Sequence, residues 1–445
     1  MANAIVGIFR VKELRERVLF TFAMLVVFRI GAIFPIPGIN AQVLVDYFSN
    51  LTRGDAGGLV NYLDFFAGGA FSNFSVFMLG IMPYISMSII MQLLLIVFPR
   101  LKKISQEDGG RKKIQKWQRY GTVVVSLIQS FAVTRYAESI SHNGRALLNM
   151  SSFSFTIIAM ITVTTGTMFL VWIGEQITKR GIGNGISLLI FAGIVARMPQ
   201  AIWELISSVR SGQLNPVYVI VVLFIFVVVV GLVVYEQQGQ RKIPVNYAKR
   251  VVGRKMYGSQ NTYIPFKINP SGVIPVIFAS SILTFPLQIA QTIGGDAGTG
   301  WWASFASALR PNGPFYNVLY VLLIVFFAYF YTQVTLNPVE IAKQIRENGG
   351  SIPGIRTERI EEYLKRILNR IVLPGSLYLA LIAVIPSFFQ WAFGLPTSVS
   401  FLLGGTSLLI LVGVDLDTMS QIEGLLKMHH HEGLTKRGRL RGRNL

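Results

Sequence analysis

The stretch GTMFLVWIGEQITKRGIGNGISLLIFAGIVARMP (residues 166–199) sets two apolar runs on either side of a short polar turn that holds Lys179 and Arg180. A helix crosses the hydrocarbon core of a bilayer in about 17–25 residues, and the two runs read as spans at 152–173 and 183–199. Working outward, further apolar windows fall at 18–36, 74–98, 118–136, 215–235, 271–292, 315–336, 371–391 and 399–419. The composition agrees, with 52% hydrophobic residues against 14% charged and a mean hydropathy of +0.52. The expected fold is an all-α polytopic membrane protein with ten transmembrane helices.

The charges between the spans alternate. Lys and Arg number four in 1–17, one in 37–73, seven in 99–117, one in 137–151 and two in 174–182. They continue as one in 200–214, seven in 236–270, one in 293–314, seven in 337–370, none in 392–398 and six after 419. By the positive-inside rule both termini are cytoplasmic. The net charge of +20 is therefore explained first by topology. The charges and apolar run of MANAIVGIFRVKELRERVLF resemble a signal peptide, but FRIGAIFPIPG offers no small-residue cleavage site, so the run is expected to be a retained first span.

Several chemistries are absent from the sequence. There is no cysteine, which removes disulfide, thiolate and zinc–thiolate chemistry. No GxxxxGK[ST] motif occurs, GGRKK at 109–113 is no substitute for one, and no HExxH stands out. Coupled carriers place ionisable groups within their bundles, whereas the span middles here are nearly free of them. Arg29 lies late in the first span, within reach of the outer interface. His142 lies in an outer loop and His429, His430 and His431 in the tail, where a chance cluster reads better than a metal site. No catalytic residue, metal site or cofactor is expected, and the energy for any transport must come from a partner or the membrane potential. A secondary solute transporter is the rival reading that ten spans alone permit.

Two long basic connections carry local order. The segment 235–272 alternates through KIPVNYAKRV and NTYIPFKI, as a hairpin does, and 337–370 reads as helix, Gly/Pro turn, helix. Both suit a docking platform for a large acidic or phosphate-bearing partner. In GIMPYISMSII (80–90), Ile81, Ile85 and Ile89 lie one above another on a helix. That stripe suits either a hydrophobic constriction, which holds back water by dewetting, or ordinary bundle packing.

The quoted stretch 166–199 resembles the SecY family, the central subunit of the protein-translocation channel. So do FRIGAIFPIPGIN (28–40), GIMPYISMSIIMQLL (80–94), GQRKIPVNYAKR (239–250), SGVIPVIFASSI (271–282), NPVEIAKQI (337–345), GSIPGIR (350–356) and GGTSLLI (404–410). The resemblance runs over essentially the whole chain. It implies two pseudo-symmetric five-helix halves, 1–200 and 201–419, around a central hourglass pore, followed by a basic cytoplasmic tail at 420–445. The waist is an apolar ring, which falls here on Ile81, Ile85, Ile186, Ile190, Ile277 and Ile410.

The segment 61–75 is similar to the family's plug, a short helix filling the outer funnel, and the resemblance assigns to it Asp64, Phe65, Phe66, Gly68, Gly69 and Phe71. Its glycines weaken helix propensity while its phenylalanines supply packing, and Asp64 taken alone suits a helix cap or a surface charge. The family opens sideways to lipid between spans two and seven, which puts Ser86, Ser88, Gln92, Gln129, Ser280, Ser281 and Thr284 near that lateral gate. Gln92 and Gln129 could simply satisfy one another. The basic loops resemble the docking sites of the translating ribosome and the SecA motor ATPase. Arg356 matches the position tied to the motor, and Arg241, Lys242, Lys249 and Arg250 suit ribosomal RNA phosphates or motor carboxylates. TKRGRLRGRNL at the C-terminus is either a further docking element or a loose basic tail.

The resemblance also implies small membrane subunits like SecE and SecG. Signal sequences, nascent polypeptides and lipid are the other expected contacts. The expected site is a bacterial plasma membrane. One departure is visible, since Asp415 accompanies the expected Asp417 in LVGVDLDTM.

Overall fold

The structure is a computed structural model and describes residues 11–40, 42–44, 47, 64, 67–139, 141–142, 145–247, 250–252, 255–257, 261–283 and 313–437. Phe65, Phe66, Lys249, Thr284 and residues 438–445 of the expected tail lie outside the described residues. The chain divides into two compact units, residues 1–200 with 410–445, and residues 201–409.

The first unit is helical. It contains α1 (Lys12–Gly31), α2 (Met82–Val97), α3 (Pro99–Gln106), α4 (Gly110–Ser139), α5 (Ser152–Arg180) and the start of α6 (Gly185–Arg210). It ends with most of α13 (Gly405–Arg437). The α2–α3 break is a bend of 104° at Phe98. Phe98 is extended (φ −107°, ψ 101°), the conformation a residue adopts before proline, and Pro99 has no N–H to continue the ladder. Glycines bring α5 and α6 together, because a methyl group on Gly185 would lie 1.9 Å from the carbonyl oxygen of Gly174. Three hydrogen bonds hold the turn between these helices. Thr21 Oγ1 accepts from Ile182 N (3.1 Å), Gln421 Oε1 from Gly183 N (2.9 Å) and Thr178 Oγ1 from Gly185 N (2.9 Å). Ile182 is buried there with Leu14 of α1 and Ile422 of α13.

The second unit contains the end of α6, α7 (Pro216–Gln238), α8 (Ile274–Leu283), α9 (Pro314–Thr335), α10 (Pro338–Glu347), α11 (Ile360–Phe393) and α12 (Thr397–Leu403). It also holds a small sheet. Strand β1 (Gln240–Tyr247) pairs antiparallel with β4 (Asn261–Lys267), in the register Ile243↔Ile264 and Pro244↔Tyr263, and with β5 (Gly350–Ser351). A minor hairpin, β2 (Arg250–Val252) with β3 (Lys255–Tyr257), lies between β1 and β4 in sequence. The expected hairpin in 236–270 is thus present, with a third strand contributed by the other basic loop. Ile243, Val245 and Phe266 bury themselves against Ala342 and Ile345 of α10 and against Ile360, Leu364 and Ile367 of α11. Period-2 burial on β1 meets period-3.6 burial on α11, and that shared core joins the two loops.

Among the described residues, six helical stretches are long and apolar enough to cross a membrane, and the bent α2–α3 pair makes up to seven. α7 is the most lipid-like of them. Its 23 residues extend about 34 Å at 1.5 Å per residue, and Asn215 caps it by accepting from Val217 N at 3.0 Å. Its run of valines is a poor helix former in water, but in lipid every backbone group must be satisfied within the helix. α1 is charged in its first turns and again at Arg29, α4 carries Gln129, Ser130, Thr134 and Arg135 within its apolar half, and neither is among the six, while α8 is described only over Ile274–Leu283. Several helices also overrun the apolar windows. α11 starts at Ile360 instead of near 371, and α13 continues past 419 to Arg437. The helix runs on past the apolar window because Ile422, Leu425 and Leu426 continue an apolar face that packs on the first unit's core, while most of TKRGRLRGRNL lies outside the described residues.

Candidate functional site

The segment expected as a plug is tied into the first unit at two places, and the ties differ in kind. Its end, Phe74 and Ser75, together with Val76 and Phe77 just beyond it, is a wedge between helix backbones. Ile36 N donates to Phe74 O (2.8 Å) and Val76 N to Phe34 O (3.1 Å). Added methyl groups at Gly31 and Gly166 would collide with the Phe77 ring (2.0 Å) and with Val76 O (2.1 Å). Phe77 lies between Phe28 and Phe169 at centroid distances of 6.2 and 6.1 Å. Phe74 is buried and has φ +42°, a conformation a bulky residue adopts only where packing over-determines it.

The earlier part, 64–72, is held by polar groups. Asp64 is only 6% exposed, so it is neither a surface charge nor a simple cap. Its carboxylate accepts from Ser72 N at 2.7 Å and pairs with Arg197 of α6. Arg197 also donates to Ser72 Oγ (3.0 Å) and to Gln200 Oε1. On the other side, Arg29 of α1 donates to Gly68 O at 2.7 Å, so it turns inward instead of reaching for the outer interface. Gly68 and Gly69 take φ +64° and +90°, left-handed values at which glycine is the residue without strain. Residues 67–81 are successive turns and not a regular helix, which is how two left-handed glycines interrupt a helix. A methyl group at Gly68 would lie 2.6 Å from the Cα of Gly193 in α6. Phe71 is buried and faces Phe74 at 6.0 Å.

The stripe isoleucines are all withdrawn from solvent. Ile81 sits at the N-cap of α2 and Ile85 one turn on, with Ile85 N donating to Ile81 O at 3.1 Å. Both are buried, as are Ile89, Ile190 and Ile410. Ile186 is half-buried and lies against Gly174 of α5. Five of the six expected ring residues belong to the first unit, and half-buried Ile277 belongs to α8 of the second.

Of the expected gate residues, Ser86, Ser88, Gln92 and Gln129 lie in the first unit and Ser280 and Ser281 in the second. Ser86 is half-buried. Gln92 Nε2 donates to Ser88 Oγ at 3.4 Å and Ser280 Oγ to Ile277 O at 2.9 Å. Among the described residues, the buried side-chain carbonyl oxygens of Gln92 and Gln129 accept no hydrogen bond and buried Ser281 Oγ has no partner. The two glutamines therefore do not satisfy one another.

In the second unit, the sheet's outer face presents Lys242, Pro244, Tyr263, Pro265 and Lys267, all exposed. Lys242 Nζ stands 4.7 Å over the Tyr263 ring, a cation–π contact that orients an otherwise flexible charge. Arg241 is exposed on the same strand, Arg250 opens β2, and exposed Arg356 follows the Gly354 turn (φ +80°). Arg356 accepts at its carbonyl from Arg359 N (2.9 Å), which fixes the backbone from which the guanidinium projects. Asp415 is exposed on α13. No group of three His, Cys, Asp or Glu able to hold a metal occurs among the described residues.

Two ionisable groups, half-buried Arg197 and buried Glu236, carry no motif in the sequence. Arg197 stands near the end of an apolar run, and Glu236, buried near the end of α7, falls one residue beyond the window chosen for its span. A charge inside an apolar window is the signal the sequence offers for the first, but its partner Asp64 lies in a distant, long connection, so the pairing itself leaves no local mark.

Residues 75–419 match the family model described as SecY. The chain is similar to the protein translocase subunit SecY of Escherichia coli (strain K12), with 44% identity over 432 residues, 97% of this chain and 96% of that one. Among solved structures it is similar to a protein-conducting channel, at a TM-score of 0.65, 20% identity and 92% coverage of both chains. It is also similar to Sec61 in the canine ribosome–channel complex from the endoplasmic reticulum, at a TM-score of 0.61, 19% identity and 92% coverage of both chains.

Proposed function

Because the chain belongs to the SecY family, we propose that it is a protein-conducting channel that passes unfolded secretory polypeptides across the membrane and releases transmembrane segments sideways into lipid. The observation that carries this reading is the 44% identity across 97% of this chain and 96% of the relative, which gives nearly all of the channel subunit a counterpart. The chain is a bacterial-type multi-pass membrane protein, proposed to have ten spans in two halves, cytoplasmic termini and a place in the plasma membrane. It performs no covalent chemistry.

The pore waist is assigned to Ile81, Ile85, Ile186, Ile190, Ile277 and Ile410. Branched apolar side chains seal against water by dewetting and offer a passing backbone no fixed hydrogen-bond partner. Burial of four of the six supports a closed constriction better than a lipid-facing stripe. Residues 61–75 are the plug over it. Ser86, Ser88, Gln92, Gln129, Ser280, Ser281 and Thr284 flank the lateral gate, and the unsatisfied oxygens of Gln92 and Gln129 support a seam that is weakly bonded and separable. The sheet, α10 and the Arg356 turn form the docking platform for a translating ribosome or the SecA motor. SecE-like and SecG-like subunits complete the complex.

The native absence of cysteine makes the decisive experiment clean. A single cysteine at Ile186 is paired with a secretory precursor that carries one cysteine and is stalled midway through export. A disulfide that forms only when the precursor has its signal sequence is the expected result. Active export with crosslinks only from lipid-facing control positions would refute the ring.

A further inference from the structure

We propose that Asp64 and Arg197 form a charge latch that sets how strong a signal sequence must be to open the channel, an inference that rests on the plug reading above. The segment is anchored unequally. Residues 74–77 are wedged by backbone contacts at Gly31 and Gly166 and by the aromatic stack of Phe77, and they cannot leave without dismantling the packing of α1 and α5. Residues 64 and 67–72 are tied to the helices by polar groups, the Asp64–Arg197 pair, the Arg197 bond to Ser72 and the Arg29 bond to Gly68 O, while the buried Phe71 packs on Phe74 of the wedge itself. Such contacts exchange for water when the loop swings outward, so the loop is the part that can move on the wedge as a base.

Among the described residues, the carboxylate's own loop supplies it with a backbone donor, Ser72 N, and no positive charge. That charge comes from α6, the helix that also carries Ile186 and Ile190. A force that displaces α6 at the ring is thereby applied directly to the latch. Arg197 turns Nη2 to the carboxylate and Ser72 Oγ while Nη1 donates to Gln200 Oε1 on its own helix, so one planar fork ties the plug to α6 through two nitrogens, which a lysine cannot do.

A pair largely withdrawn from water, as this one is with the Arg197 side chain 16% and the Asp64 side chain 8% exposed, is a weak source of net stability but is costly to break on one side. Removing one partner strands the other charge in a desolvated site, whereas removing both leaves a site that packing can tolerate. The latch therefore predicts a reversal, in which each single neutral variant loosens the closed state more than the double neutral variant. A purely structural role for either residue predicts that the damages add.

The test uses the full chain with its partner subunits and motor in proteoliposomes. Two precursors are compared, one with an intact signal and one with a charge in the signal's apolar core, and the readout is the ratio of defective to intact precursor protected from protease. For Asp64→Asn, which keeps an acceptor for Ser72 N, and for Arg197→Gln, the ratio is expected to rise about tenfold or more, as a shift of the closed population requires. The double variant is expected to return toward the wild-type ratio.

Unchanged ratios in both single variants, or a double variant worse than either, overturn the latch while leaving the channel reading intact. Failure of the wild-type chain to export the intact precursor overturns the channel reading itself. If a single variant does not accumulate, Arg197→Lys decides. It keeps the charge but loses the fork, and an unchanged ratio there also overturns the proposal.

Discussion

Substitution of Gly68 by alanine separates two ways in which a glycine can matter. Gly68 and Gly80 share a left-handed backbone, with φ +64° and +54°. An alanine forced into that conformation costs roughly 1–2 kcal/mol at either position. Their surroundings differ. At Gly80 the nearest atom to an added methyl is the Cα of Ala67 at 3.8 Å, an ordinary contact, while at Gly68 it is the Cα of Gly193 at 2.6 Å. Gly193 has no side chain to yield, so the plug loop must move away from α6 by about 1 Å to restore van der Waals separation. That displacement stretches the 2.7 Å hydrogen bond from Arg29 to Gly68 O beyond bonding range, and a bond to a charged donor contributes about 1.5–3 kcal/mol.

If residues 61–75 act as the proposed plug, Gly68→Ala is expected to favour its displaced state about ten- to a hundredfold more than Gly80→Ala does. Ala70 is fully buried, and Ala70→Cys in the cysteine-free chain becomes reactive toward an impermeant maleimide only when the plug leaves. The labelling rates of the two variants in that background should differ by the stated factor. Equal rates would show that backbone conformation alone governs the loop, and the packing argument against Gly193 would be wrong.

Gly185→Ala should prevent the α5–α6 hairpin from closing, since its methyl would overlap the Gly174 carbonyl. Gly231→Ala, with nothing within 4 Å, should instead raise thermal stability by about 0.5–1 kcal/mol, and a matched melt of the purified variants would expose any error in that ordering. Arg356→Glu and Lys242→Glu should weaken ribosome binding to vesicles containing the complex and lower the salt slope by about one for each phosphate no longer neutralised. A weaker affinity with an unchanged slope would mean that these residues act on the fold of the platform and not on a phosphate.

What could be read from the sequence was whatever repeats along it. Span after span shows in hydropathy because lipid forces each crossing segment to be apolar through a whole helix length, and loop charge alternates for an equally general reason. The KIPVNY alternation foretold β1 because period-2 burial leaves its mark on adjacent residues. It did not foretell β5, since Gly350 and Ser351 owe their strand to Tyr247 and Asn246 across the sheet. Helix ends were misjudged for a related reason. Ile360 and Leu364 lie outside the apolar window that marks the span, yet they are buried by the sheet, so the helix begins before the membrane does.

The polar contacts of the plug segment were hidden more deeply. Asp64 looks like any loop carboxylate and Arg197 like a charge at the end of a span. Nothing in the sequence couples two positions so far apart except the fold that brings α6 past Gly68. The isoleucines could be named because resemblance supplied their places, but resemblance to a family speaks for what its members share. A pair that appears as one acid and one base in this chain can be found only where the geometry sets them side by side. If the latch holds, the selectivity of this channel lies in contacts that a motif search passes over. The apolar ring common to the family would then seal the pore, and the charges above it would decide when the seal is broken.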